Sequence, residues 1–174
     1  MAEKVFNLDE NQDAERKLLI TAVDVSGGTT TPEWEILGID IEDSSIEFNP
    51  ELQTKTDIRG NTGTKLLRLE PQQSMEPYTI KGGSKLAMIL REYRRNGELS
   101  KFSQFKVLLV EGYVGDSTAG YEAEVHEGCT IIANSLGGSS TVDMPIEIHF
   151  SNRKTLGTVD KLEDELTFTP TLEV

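Results

Sequence analysis

Residues 143–152 (DMPIEIHFSN) alternate without a break, with Met144, Ile146, Ile148 and Phe150 set against Pro145, Glu147, His149 and Ser151. A period of two puts all four apolar side chains on one side of an extended chain. Only a sheet with one buried and one wetted face uses that pattern. Related runs recur between glycine-rich breakers. Residues 17–25 (KLLITAVDV) stop at Ser26-Gly27-Gly28, and residues 34–41 (WEILGIDI) follow. Residues 104–113 (QFKVLLVEGY) and 120–127 (GYEAEVHE) flank a turn from Gly115 to Gly120, and residues 129–134 (CTIIAN) lead into Gly137-Gly138. Short strands at such spacing predict a sandwich or barrel. The 174 residues suit one core, expected over 17–160, with a polar arm at 1–16 and a second arm at 161–174.

One segment breaks the strand pattern. Over residues 84–96, Leu86, Ile89, Leu90 and Tyr93 fall at i, i+3, i+4 and i+7, a single apolar stripe. Ser84 stands where a helix is capped, and Asn96-Gly97 where a left-handed stop is expected. Arg91, Arg94 and Arg95 suit the C-terminal end of the dipole, whereas Lys85 in the first turn opposes it. The expected fold is therefore mainly β with one flanking helix.

The polar stretch 42–61 is harder to place in a core. Within 51–59, Glu51, Gln53, Lys55 and Asp57 share one face, and Leu52, Thr54, Thr56 and Ile58 share the other. Threonine and isoleucine favour a strand, yet neither face has much to bury. Such a segment predicts a projecting hairpin, which is stable only when something packs on it. Charge is also uneven. The chain carries a net −13, distributed as −9 over residues 1–60, +5 over 61–110 and −9 over 111–174. A basic island in an acidic chain is either a solvated face or a patch that meets an acidic patch on a neighbouring copy. On these grounds Glu51, Lys55, Asp57 and Arg59 of the hairpin, and Arg91, Arg94 and Arg95 of the helix, are the candidate assembly residues.

The same charge balance argues against a general nucleic-acid-binding face. One cysteine, Cys129, has no disulfide partner and is expected to be buried and inert. Glu122, Glu124 and His126 alternate on one strand face, but without a second nearby histidine they predict a polar surface rather than a metal site, and His149 beside Glu147 is read the same way. The sequence has no nucleophile elbow, P-loop or dinucleotide fingerprint, so no catalytic residue, cofactor or metal is expected. No apolar run is long enough to span a bilayer, and the opening residues lack the apolar core of a signal peptide.

Three segments carry a resemblance. Residues 56–64 (TDIRGNTGT) resemble the "TDI-x-G-x-T-x-T" stretch of major tail proteins from long, non-contractile-tailed phages and prophages of Gram-positive bacteria. Residues 70–78 (EPQQSMEPY) are similar to that family's "EPSQSF-[DE]-PY" segment just before the helix, with Met75 where the family has an aromatic. Residues 148–159 (IHFSNRKTLGTV) resemble its "IHF…NR…GTV" ending, so the likeness runs in order over about 17–160.

The resemblance implies a tail-tube β-sandwich or half-barrel with a flanking helix and a long projecting hairpin. It further implies subunits that close into hexameric rings, and rings that stack into a tube through which DNA passes without specific binding. The implied partners are other copies together with tail-tip and tail-terminator proteins. The implied location is the virion tail, assembled in the host cytoplasm. A monomeric β-sandwich binding or adhesion module of a tail tip is the alternative, with a β-sandwich hydrolase third.

Overall fold

The computed structural model describes residues 6–29, 31–41, 43–163 and 165–171. Strands β1 (Leu19–Asp24), β2 (Trp34–Ile36), β3 (Ile46–Glu47), β4 (Glu51–Thr56), β5 (Thr62–Arg68) and β6 (Gln72–Met75) precede the helix α1 (Lys85–Asn96). Strands β7 (Phe105–Asp116), β8 (Gly120–Ala133), β9 (Ile146–His149), β10 (Lys154–Val159) and β11 (Phe168–Pro170) follow it. Nine strands form one sheet along the path β2-β1-β7-β8-β9-β6-β3, with β10 and β11 branching from β8. The remaining hairpin, β4-β5, is a separate two-stranded sheet.

The branch curls the sheet into a half-barrel. One edge of β8 pairs β7 from Gly120 to Cys129, while its other edge pairs β10 over residues 121–126 and β9 over 130–133. Residues 120–127 and 129–134, expected as two strands, are therefore one strand. Gly128, at φ +74°, provides a kink within it. The alternation at 144–150 holds, with Met144, Ile146, Ile148 and Phe150 all buried, although the paired part of β9 is shorter than that run.

Two cores result, one on each face of the β1-β7-β8 sheet. On the helix side, Leu86, Ala87 and Leu90 of α1 pack with Val23, Phe105, Val107, Cys129, Ile131, Ile146, Ile148 and Met75. On the other side, Ile20, Ala22, Leu108, Val110, Ala123, Val125 and Val159 are covered by Leu162, Leu166 and Phe168. The continuous apolar run 107–110 thus serves two layers at once, as strands buried on both faces do. Residues 166–170, expected within an arm, fold back here: Leu166 is buried and β11 pairs β10.

The helix is fastened by a residue the sequence pattern does not single out. Glu35 on β2 accepts hydrogen bonds from the Lys85 and Leu86 amides at 2.8 and 3.0 Å and from the Ser84 hydroxyl at 2.7 Å. Ser84 in turn caps Ala87 N. One carboxylate therefore satisfies free amides of the first turn and ties the helix to the sheet edge. Lys85, opposed by the dipole, pairs with Glu33.

Candidate assembly surface

The β4-β5 hairpin leaves the half-barrel at a closed stem. Glu70 N donates to Phe48 O at 2.9 Å, and Asn49 Nδ2 donates to Glu70 O at 3.2 Å. Beyond the stem every residue of both strands is exposed. The return strand is β5, which lies beyond the polar stretch 42–61 that predicts the hairpin. The register sets Leu52 opposite Leu66, Thr54 opposite Thr64 and Thr56 opposite Thr62. Hydroxyl pairs at 3.3 and 3.1 Å bridge the two threonine rungs. Gln53, Lys55 and Lys65 occupy the opposite face, so the ribbon is amphipathic with both faces in solvent. An isolated ribbon of this kind is marginal on its own, and an exposed Leu/Thr face is an unused packing surface.

The hairpin tip explains its own sequence. Asp57 Oδ1 accepts from Arg59 N and Asn61 N at 2.8 and 2.9 Å, its Oδ2 accepts from Asn61 Nδ2, and Gly60 takes φ +80°. Hydrogen bonds from Asn61, with a further contribution from the Arg59 amide, hold the Asp57 carboxyl below its ordinary value. Ile58 at the apex is wholly exposed. Of the four hairpin candidates, Glu51 pairs with Arg68 at 2.6 Å and Asp57 is engaged inside the turn. Lys55 and Arg59 have side chains with no hydrogen bond or ion pair to another described residue.

On the helix, Arg91, Arg94 and Arg95 are all exposed, and none makes an ion pair with another described residue. Arg91 and Arg94 border an open groove lined by Thr79, Ile80, Leu136, Thr141, Val142 and Met144. Ile80, Leu136 and Val142 remain 39%, 51% and 54% exposed in its floor. The structure thus separates the seven candidates into a hairpin group and a helix group.

The strand carrying Glu122, Glu124 and His126 engages two of these side chains with each other, with Lys154 and with the Ser151 carbonyl. Among the described residues no group of three His, Cys, Asp or Glu side chains could hold an ion. His126 is buried, with Nδ1 2.7 Å from Ser151 O and Nε2 2.9 Å from Glu124 Oε1, and its ring sits edge-on to Phe150. Lys154 Nζ lies 2.7 Å from the other Glu124 oxygen. The His126 hydrogen bond and the Lys154 contact pull the Glu124 carboxyl down to about 2, against an opposing burial effect. Cys129 is fully buried, and burial raises its thiol above the usual range. His149 pairs with Glu147 at 3.0 Å on a partly exposed face.

Past the edge of the helix-side core, the same face of the β7-β8-β10 sheet turns acidic. Glu111 stands directly opposite Glu122, and exposed Leu156 stands opposite Glu124. Tyr113 donates to Glu111 at 3.0 Å; burial first, then that carboxylate, pushes its phenol up to about 12. Among the described residues no helix is long and apolar enough to cross a membrane.

No family model matches the chain, and no curated protein does. Solved structures do. The chain is similar to the cryo-EM structure of the anti-feeding prophage cap, the tube-terminating cap, with a TM-score of 0.50 and 10% identity over 87% of this chain and 95% of that one. It is also similar to the PVC sheath/tube terminator, in the extended state, of an extracellular contractile injection system, with a TM-score of 0.50 and 9% identity over 83% and 96%. This chain shares a fold with a tube-terminating cap and with a sheath/tube terminator.

Proposed function

We propose that the chain is a structural, non-enzymatic subunit of a phage-tail-type conduit, which associates with its own copies into hexameric rings that stack into a tube for DNA. One observation carries this reading: a two-stranded ribbon with an amphipathic pattern projects from a closed stem with every residue of both its strands exposed among the described residues. A ring or stack of copies supplies the missing surface and covers the short edge strands β2, β3 and β11. The three sequence motifs and the fold shared with tube-terminating caps support the same class of role. In this reading the subunit resides in the tail of the particle, is assembled in the host cytoplasm, and meets tail-tip and tail-terminator proteins at the tube ends.

The acidic face around Glu111, Glu122 and Glu124 is the channel wall in this proposal. Carboxylates there keep phosphates from adhering, so that the duplex slides. Replacing Glu111 and Glu122 by lysine slows genome ejection; unchanged ejection kinetics refute the electrostatic part.

A second reading has its own observation. The two structures described above are terminators, and in this reading the chain forms a single closing ring in place of a polymer. Negative-stain microscopy of concentrated protein separates the readings: tubes support the first and solitary rings the second. Monomers at every concentration reject both in favour of a binding or adhesion module.

A further inference from the structure

The groove beside α1 holds two chemistries side by side. Its floor is aliphatic, with Ile80, Leu136 and Val142 exposed in it, and its wall carries Arg91 and Arg94, three residues apart on one helix face. Neither guanidinium has an acidic partner among the described residues. Aliphatic surface in water and a pair of unbalanced cations favour the same kind of occupant, apolar along its length and anionic at one end.

Backbone hydrogen bonds build the floor. Ile80 N donates to Val142 O at 2.9 Å, Met144 N donates to Tyr78 O at 2.8 Å, and Gly137 and Asp143 exchange bonds of 3.0 and 2.6 Å. Gly138 closes the loop tightly on this ladder, since a Cβ there would lie 2.0 Å from Thr141 O. The segments carrying the three floor side chains are thus fixed to one another, and the groove is preformed.

Its other polar groups are already engaged. The Thr79 and Thr141 hydroxyls both donate to Asp143 Oδ1, at 2.8 and 3.0 Å, and Asp143 does not line the groove. Lys81, next in the chain to Ile80, pairs with Asp40. Among the lining side chains, free donors and positive charge therefore belong to Arg91 and Arg94 alone. Two guanidiniums at this spacing match one carboxylate, each donating to a different oxygen. An acidic protein face would need a basic field over about 800 Å². At about 590 Å³ the groove has the size of a small-molecule site instead.

We propose that this groove binds a single-chain aliphatic carboxylate, with the chain lying on Ile80, Leu136 and Val142 and the headgroup held between Arg91 and Arg94. The site is separate from the ring contacts of the proposed function and does not depend on them.

Calorimetric titration of the full chain with sodium decanoate, kept below its micelle concentration, tests this. Decanoate binds, and binding weakens by about 10-fold or more in R91A/R94A. Hexanoate binds weaker than decanoate by about 10-fold or more, because each fully buried methylene tightens binding about 4-fold. Val142→Asp, at an exposed floor position, abolishes uptake while the unfolding midpoint stays near that of the wild type. Decyltrimethylammonium does not bind the wild type and binds R91E/R94E. No uptake of decanoate, or uptake indifferent to Arg91 and Arg94, overturns the proposal. Equal binding of acetate overturns it too, by reducing the groove to a plain anion site. Loss of rings or tubes in R91E/R94E, with no uptake of decanoate by the wild type, gives the groove to a neighbouring copy and likewise overturns it.

Discussion

Replacing residues 50–69 by a two-residue turn removes the whole β4-β5 hairpin without touching either core. The stem permits this, because Phe48 and Glu70 are already joined by a backbone hydrogen bond of 2.9 Å. The Leu52–Leu66 rung and two hydroxyl bridges, all solvent-exposed, are lost; together they contribute about 1 kcal/mol. Shortening the loop returns a similar amount, since closing about 20 residues instead of about 4 costs roughly 1.4 kcal/mol more chain entropy. The net change is within about 1 kcal/mol, or roughly 2–4 °C in Tm for a chain of this size. Calorimetry of the deletion variant checks that figure, and sedimentation velocity checks that rings and tubes are lost. A deletion that lowers Tm by more than about 10 °C places the hairpin in the folding core instead of outside it.

Glu35→Ala removes the acceptor shared by Lys85 N, Leu86 N and Ser84, and costs roughly 1–3 kcal/mol in urea unfolding, whereas Glu33→Ala, which loses only an exposed ion pair, costs less than about 1. Glu124 has its carboxyl pulled from 4.5 to about 2, so it contributes stability above pH 4.5 that is lost as pH falls towards 2; Glu124→Gln flattens that limb in a series of urea midpoints against pH. At Gly157 a Cβ would overlap Thr169 O and the Phe168 ring, so Gly157→Ala displaces β11, read as faster amide exchange over residues 166–170 with β8 protected as before. Leu90→Ala, in the helix-side core, destabilises by about 2–5 kcal/mol in the same unfolding assay.

Elements with a clean local period are legible in the sequence. The α1 stripe of Leu86, Leu90 and Tyr93 and the alternation at 144–150 fix their own buried faces, because each is amphipathic by itself. The chain hides what depends on pairing. Gln73, buried on β6, reads as polar loop in a segment of Glu, Pro and Gln; its place is set by β9 on one side and by the Thr21 hydroxyl, 2.9 Å from its Oε1, on the other. β8 reads as two strands since Gly128 mimics a turn, and only the change of partner from β10 to β9 shows that it is one. β11 carries too little apolar sequence to announce itself and exists because Gly157 admits its backbone. Among the candidate residues, Asp57 has a reason in the turn it closes, which the Asp-x-x-Gly-Asn spacing foreshadows. Arg91 and Arg94 are visible in the sequence as charge alone; the apolar side chains beside them come from Ile80 and from the loop holding Leu136 and Val142, remote in sequence.

In the proposed function this half-barrel is completed by its own copies. Cryo-electron microscopy of the purified chain at high concentration tests it directly. Closed rings or tubes are expected, in which the Leu52, Thr54, Thr64 and Leu66 face lies buried against a neighbouring copy. Single, unassociated domains at every concentration, with that face still in water, contradict it.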